Sequence, residues 1–295
     1  MNDRAAAARS RRTLPATLLV AGCAIVALLL VTDRSSTEAS LSPADAGAQE
    51  AKPPARVASA PNDGFLAFTQ TPRRPGNLVL RAGVAGHSAE GRRIGLRQLG
   101  DPALDGEVLV FGCIHGDECA ASGIEPLSYG CPDPRADLYL VPNLDPDGAA
   151  AGTRLNGRGV DLNRNFPSGW TPLGRRGDPQ YSGPHPFSEP ETRLAARIIR
   201  RLQPQVTVWF HQHAGPALVR AWGQSAPAAR HFARLAGLPF YLLAWPAGTA
   251  PNWQNHRFPG ASSFVVELAP GPLAGGLESR LASAILRLGR KVGED

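Results

Sequence analysis

Residues 107–118 have the sequence EVLVFGCIHGDE, an almost continuous apolar run that leads into a histidine and two acids. A run of this kind predicts a strand buried on both faces, as in the parallel sheets of α/β proteins. His115 follows the run directly, and Glu118 comes three residues later. Because Gly116 allows a tight turn between them, imidazole and carboxylate can converge on one point. Zn²⁺ accepts both ligand types, so the stretch is a candidate half of a metal site.

Strands and helices alternate along the rest of the chain. Hydrophobic and turn patterns predict further strands at Leu78–Val84, Ile94–Leu99, Leu138–Val141, Val206–Phe210, Ala217–Trp222 and Ser263–Leu268. Periodicity and end signals predict helices at 119–129, 188–202, 227–238 and 277–288. This order predicts an α/β fold: a single domain with a central mixed, largely parallel β-sheet covered by helices on both faces. In such sheets ligands bind beyond the carboxyl ends of the strands.

Two histidines follow the predicted strand Val206–Phe210. His211 comes directly after the strand, and His213 lies two residues further along. His211 is the favoured third ligand because it leaves the strand end first, and His213 is the alternative. A lone histidine at a strand end is ordinarily held by hydrogen bonds. Two such strand ends that open at the same edge favour a catalytic zinc site, which uses three protein ligands and a water.

A long stretch rich in glycine, proline, asparagine and arginine, residues 143–186, lies between these two strands. A loop of this length inside a compact domain is usually functional. Arg154, Asn163 and Arg164 form a cluster of donors suited to a carboxylate or to a developing oxyanion. The alternative is that the polar residues of this stretch mainly hold their own turns.

Glu267 lies in the last predicted strand with apolar residues on both sides. Burying a carboxylate there costs free energy unless the group is paired or used. Burial and a nearby metal would tune its pKa toward the work of a general base.

In their order along the chain, these motifs resemble the zinc carboxypeptidase family, which includes carboxypeptidase A and the bacterial murein peptide amidases. The resemblance extends from about Arg81 to Gly271, and its most specific parts are NLDPDG at 143–148 and VDLNRNFP at 160–167. It implies that one Zn²⁺ per chain is bound by three ligands: His115, Glu118 and His211. It also implies roles in the reaction: Glu267 as base and then acid, Arg154 on the scissile carbonyl, and Asn163 with Arg164 on the terminal carboxylate.

The resemblance implies a zinc metallopeptidase that hydrolyses the amide bond next to a C-terminal residue, in a peptide or in a cell-wall stem peptide. The alternatives are a non-catalytic, membrane-anchored zinc-binding module and an N-acyl amino acid deacylase on the same fold. Members of the family often have a mobile tyrosine before the base, but Trp245–Trp253 contains none and Tyr241 is the nearest candidate. Pro251 and Asn252 in this segment carry no charge, which argues against a pocket for lysine or arginine.

The N-terminus predicts export. Residues 1–32 combine four arginines with an apolar stretch, which is typical of a signal peptide or signal anchor, although Cys23 also suggests a lipoprotein cleavage box. Residues 33–62 have the composition of a disordered tether, and residues 63–295 form the expected catalytic domain. This organisation predicts an extracytoplasmic protein, secreted or held at the membrane by its N-terminal segment.

Charge and cysteine content give expectations for nucleic-acid binding and for disulfide pairing. The net charge is +6, but the arginines are scattered rather than striped, which argues against nucleic-acid binding. Three cysteines remain beyond the signal segment: Cys113, Cys119 and Cys131. We expect a disulfide between Cys119 and Cys131, with Cys113 as a buried core thiol.

Overall fold

The computed structural model describes residues 69–70, 79–100, 107–124, 137–273 and 275–288 of the 295-residue chain. All of them lie within one compact unit, Val57–Asp295. The expected signal segment (1–32) and tether (33–62) lie outside the described residues, so they and the domain boundaries stay predictions. Among the described residues, no helix has the length and apolar character needed to span a bilayer.

The described strands form one mixed sheet in the order β1-β2-β3-β5-β4-β6-β9-β7-β8. Their bounds are β1 Thr69–Gln70, β2 Val79–His87, β3 Arg93–Gly100, β4 Glu107–Phe111, β5 Asp137–Val141, β6 Val206–Gln212, β7 Leu218–Ala221, β8 Phe240–Leu242 and β9 Ser262–Leu268. The centre of the sheet, β5-β4-β6-β9, is parallel throughout, whereas β1, β2 and β3 on one side and β7 on the other join by antiparallel pairing. The predicted mixed sheet with a parallel centre is confirmed, although over the whole described sheet four strand pairings are parallel and four are antiparallel.

Helices cover both faces of this sheet. Their bounds are α1 Pro146–Ala151, α2 Pro190–Leu202, α3 Ala226–Ala236, α4 Ala250–Arg257 and α5 Leu277–Arg287. Alternate residues of β4 divide between the faces, because successive strand side chains point in opposite directions. Val108 and Val110 join a core with α3 and α5, and Leu109 and Phe111 join a second core with α2 and α4.

An aromatic pair lies just before the strand ends that carry the candidate ligands. Phe111 of β4 and Trp209 of β6 are register partners, and their rings stack with centroids 3.9 Å apart. Both side chains are fully buried. Such a pair adds about 0.5–1.5 kcal/mol beyond area burial, and here it holds two neighbouring strand ends together.

The predicted cysteine pairing is wrong. Cys113 forms a disulfide with Cys119, with the two α-carbons 4.7 Å apart, so Cys113 is not a free core thiol. The chain turns back after β4, which returns Cys119 to the strand end within disulfide range. The predicted helix at 119–129 is, in its described part, only a short 3₁₀ turn at Ala120–Gly123. Cys131 lies outside the described residues.

Candidate metal and substrate site

His115, Glu118 and His211 converge at the carboxyl ends of β4 and β6. These strands are parallel neighbours, so their carboxyl ends meet at the same edge of the sheet. Glu118 Oε2 lies 2.9 Å from His115 Nδ1 and 2.9 Å from His211 Nδ1, and the two Nδ1 atoms are 3.2 Å apart. Two imidazole nitrogens and one carboxylate oxygen at one buried point are the donor set of a catalytic zinc site, so the residues present fit this metal.

The alternative ligand, His213, lies apart from this cluster. Its Nε2 is 2.9 Å from the carbonyl oxygen of Pro216. His213 follows the end of β6, where its backbone N–H bonds Leu268 O and the chain leaves the sheet. The structure therefore brings His211, and not His213, to His115 and Glu118.

A second layer of polar groups orients the candidate ligands. His115 Nε2 lies 3.0 Å from Asp161 Oδ1, and His211 Nε2 lies 3.2 Å from Asn163 Nδ2. Outer partners of this kind hold the ring orientation of ligating histidines. Asp161 caps the 3₁₀ turn Leu162–Arg164 by accepting from Asn163 N, so the same turn that carries the asparagine also positions the carboxylate.

Arg154 lies against both carboxylates of the cluster. Its Nη1 donates to Glu118 Oε1 at 2.6 Å, and its Nε donates to Asp161 Oδ2 at 3.0 Å. Burial alone would raise the pKa of Glu118, but hydrogen bonds with His115 and His211 hold that pKa well below its usual range. Burial also opposes ionisation of Asp161, yet His115 and Arg154 lower its pKa to about 2. Both acids are therefore anionic ligands or partners at neutral pH.

The electrostatics favour positive charge at this point. Burial would lower the pKa of His115, but Asp161 and Glu118 outweigh it and raise the pKa to about 9. Two buried carboxylates within hydrogen-bond distance of one imidazole supply more negative charge than Arg154 alone offsets. A divalent cation held by the same atoms would supply that positive charge.

A cavity of about 180 Å³ opens beside the cluster. Six of the seven residues that the sequence analysis assigns to the site line it: Glu118, Arg154, Asn163, Arg164, His211 and Glu267. A larger surface depression of about 620 Å³ adjoins this cavity at Glu118, Gln212 and His213. The seventh residue, His115, is fully buried behind Glu118 and does not reach the cavity wall.

Glu267 of β9 is the register partner of His211 on β6. Its side chain is 14% exposed and lines the cavity, so it is placed to act on a molecule bound beside the ligands. No tyrosine lines this cavity among the described residues. Tyr241 lies on β8 and is 48% exposed, whereas Trp245 and Pro251 form part of the cavity wall.

Asn163 and Arg164 differ in how many hydrogen bonds their side chains make within the protein. The carboxamide of Asn163 contacts His211 through Nδ2 and accepts from Ala250 N at 2.9 Å through Oδ1. Arg164 donates from Nη1 to the carbonyl oxygen of Asn163 at 2.9 Å. Arg164 is thus the freer donor toward the cavity, and Asn163 mainly ties His211 to the start of α4.

One further charged residue of the cavity wall, Arg220 of β7, was not predicted from the sequence. Its guanidinium Nη1 lies 3.5 Å from Glu267 Oε1, and it stacks on Trp245 with 5.6 Å to the ring centroid. The available signal was an arginine set between the apolar Val219 and Ala221 in a predicted strand. Its partners come from β9 and from the segment before α4, so the local pattern gave no reason to choose it.

The chain is similar to known zinc carboxypeptidases and murein peptide amidases. The family profile described as zinc carboxypeptidase matches residues 134–238, which include Arg154, Asn163, Arg164 and His211. Murein peptide amidase A of Escherichia coli K12 is 35% identical over 117 residues, covering 35% of this chain and 48% of the relative. Carboxypeptidase B of Astacus astacus is 27% identical over 168 residues, covering 47% of this chain and 55% of the relative. The chain thus spans about half the length of the curated relatives it matches.

A solved structure extends the match. The murein-tripeptide amidase of Escherichia coli O157 superposes with a TM-score of 0.57 at 25% identity, covering 77% of this chain and 99% of that chain. The profile, the relatives and the fold point in the same direction as the His-Glu-His cluster. Residues 134–238 thus match a zinc carboxypeptidase domain, and the fold resembles that of solved zinc carboxypeptidases and of a murein-tripeptide amidase.

Proposed function

We propose that this protein is a zinc-dependent peptidase that hydrolyses the amide bond next to a C-terminal residue. The observation that carries the proposal is the meeting of a His-Glu-His cluster, a carboxylate on Glu267 and a guanidinium on Arg164 at one small cavity. These are the parts that a hydrolase for C-terminal peptide bonds needs: a metal position, a base and a group that recognises a carboxylate.

His115, Glu118 and His211 would hold the metal, which would lower the pKa of a bound water toward neutrality and act as a Lewis acid for the scissile carbonyl. Glu267 takes the proton of the attacking water and then delivers it to the leaving amine. Its register position opposite His211 places its carboxylate on the cavity side of the ligands.

Arg154 stabilises the negative charge that develops on the carbonyl oxygen. Its guanidinium is held on Glu118 and Asp161 by Nη1, Nη2 and Nε, and it remains 28% exposed toward the cavity. Because a guanidinium carries five N–H donors, two remain after these contacts. A donor held in place before the reaction costs no reorganisation when the charge forms.

Arg164 binds the terminal carboxylate, and the N-terminal part of the substrate lies in the depression beyond Gln212 and His213. Two substrate classes fit this arrangement, the C-terminus of an ordinary peptide and a wall stem peptide. The resemblance to a murein peptide amidase supports the second class. The predicted export segment at 1–32 supports it as well, since it would place residues 63–295 outside the cytoplasm, where wall peptides occur.

Metal content and turnover in one preparation test the proposal. The full chain is purified, its zinc content is measured, and amine release is followed from blocked dipeptides with free C-termini and from muropeptides, each with and without chelator. We expect about one zinc per chain and release that the chelator abolishes. The better substrate then separates a protein peptidase from a wall peptidase. Zinc without release from either substrate would favour the binding module, and absence of zinc would overturn the ligand set.

Replacement of the base tests the mechanism. We expect Glu267→Gln to keep zinc and to lower kcat by roughly 100- to 10,000-fold, because general base catalysis contributes on that scale. Glu278→Gln, the same change at the start of α5 and away from the cavity lining, is the control and should behave as wild type. Wild-type turnover in Glu267→Gln would remove this residue from the base role.

A further inference from the structure

Arg220 adds a third guanidinium, besides those of Arg154 and Arg164, to the lining of the substrate cavity. It lies on β7, which pairs antiparallel with β9, so its side chain meets the cavity beside Glu267. The side chain is 24% exposed, and its guanidinium rests on the ring of Trp245. The ring limits the freedom of the long side chain, so the charge has a defined position.

The donors of Arg220 are poorly used by the protein. Its Nε is buried and has no hydrogen-bond partner among the described residues. Nη1 reaches Glu267 only at 3.5 Å, the outer limit of a hydrogen bond. Burying an arginine donor without a partner costs free energy, so the position is unfavourable for folding alone. An anion that entered the cavity beside this guanidinium would accept from its unused donors and so reduce that cost in free energy.

The charges around the cavity point to an anion as well. Arg154 is already paired with Glu118 and Asp161. Burial lowers the pKa of Arg164; Asp161 opposes this change, and the nearby guanidiniums of Arg154 and Arg220 add to it. One terminal carboxylate satisfies Arg164, and Glu267 is the one acidic group among the described residues that pairs with Arg220.

We propose that Arg220 binds a second carboxylate, carried by the side chain of the substrate's C-terminal residue, so that the enzyme prefers an acidic residue at that position. The inference rests on the proposed function of the same cavity and narrows its substrate class. Apart from Glu118 and Glu267, which are assigned to the metal and to the base, the residues that line the cavity offer no negative charge to a basic side chain. A planar guanidinium pairs with a carboxylate through two parallel N–H groups, which gives discrimination against the isosteric amide.

A matched pair of substrates tests this preference. The scaffold is the peptide that the zinc-loaded full chain cleaves in the assay above, with only the C-terminal residue changed to Glu, Gln, Leu or Lys. We expect kcat/KM for Glu to exceed that for Gln by roughly 10- to 100-fold, mainly through KM, as for a charge-assisted hydrogen bond. Arg220→Gln should bring the ratio to about 1, and Arg220→Lys should retain part of it.

Two comparisons separate substrate recognition from a role in positioning Glu267. A positioning role would lower kcat equally for all four substrates and leave the Glu-to-Gln ratio unchanged in Arg220→Gln, which would overturn the proposal. Arg230→Gln removes the same charge on the exposed side of α3, outside the cavity lining, and should keep the wild-type ratio. If Arg220→Gln does not fold, the ratio of kcat/KM for Glu to that for Gln, measured in the wild type and in Arg220→Lys, tests the proposal instead.

Different results would refute the acidic preference and the peptidase activity. Wild-type enzyme that releases Gln or Leu as fast as Glu overturns the acidic preference and leaves the peptidase intact. Absence of release from every scaffold in the presence of bound zinc overturns the peptidase itself.

Discussion

Gly116 gives the sharpest test of how the ligand loop is built. It lies between His115 and Glu118, with its α-carbon against the backbone of α1. A β-carbon at this position would lie 1.9 Å from the carbonyl carbon of Gly148 and 2.2 Å from the nitrogen of Ala149. Both are backbone atoms, so no rotation of a side chain can relieve the contact in Gly116→Ala.

The size of the effect follows from these distances. Reaching even 3.0 Å would require a displacement of about 1.1 Å between the ligand loop and α1. Overpacking of this kind costs about 1–3 kcal/mol or more. The ligand atoms of Glu118 and His211 lie 2.9 Å apart, so a shift of that size spoils their convergence. A misplacement of about 1 Å costs on the order of 100-fold in rate, and we expect at least that loss together with weaker zinc binding.

The assay combines stability with metal binding. Thermal unfolding is measured with and without zinc, and zinc affinity is measured by competition with a chromogenic chelator. The control is Gly123→Ala in the 3₁₀ turn that follows the loop, where an added β-carbon meets no atom within 4 Å. We expect the control to bind zinc as wild type does. A Gly116→Ala protein with wild-type zinc affinity and unfolding temperature would refute the close packing of the ligand loop on α1.

Two further predictions concern Asp145 and Arg164. Burial raises the pKa of Asp145 from 3.8 to about 7, and its Oδ2 has no partner while Oδ1 accepts from Gly148 N. A raised acid pKa favours the neutral form in the fold, so the penalty is absent below about pH 4, grows between pH 4 and 7, and is complete above 7. The stabilisation that Asp145→Asn gives, measured as the change in the free energy of unfolding in denaturant, should therefore be larger at pH 8 than at pH 4 by up to about 4 kcal/mol. An equal effect at both pH values would contradict this prediction. Arg164→Ala should raise KM by roughly 10- to 100-fold for substrates with a free C-terminus, with little change for C-terminally amidated ones, and an unchanged KM would argue against carboxylate binding.

Local patterns were sufficient for most of the fold. The buried run at 107–114, the proline in the first turn of α2 and the apolar strand at Ser263–Leu268 all depend on residues that are neighbours in the chain. The predicted helix at 119–129 was wrong because a tertiary contact overrides the local pattern. Its first residue is tied back to Cys113 by a disulfide, and the described part of the segment closes into the turn Ala120–Gly123.

The candidate site was predictable where polar residues follow buried strands. His115, His211 and Glu267 each stand at or near the end of an apolar run, and the carboxyl ends of parallel strands form the usual ligand edge. Arg220 stands in a strand that pairs antiparallel with β9, so this rule does not apply to it. Its role depends on Trp245 and Glu267, which contact it only after the sheet is assembled.

The order of residues along the chain was thus enough to predict an α/β domain, its mixed sheet and six of the residues that line the cavity, but not Arg220. It could do so because burial and turn chemistry act over a few residues, and because strand ends have a common geometry. Only the tertiary structure decided which side chains come into contact. It brought His211 rather than His213 to Glu118, Cys119 to Cys113, and Arg220 to Glu267. His115 and His211 are 96 residues apart, and whether such groups touch depends on the strand order, which no local pattern contains.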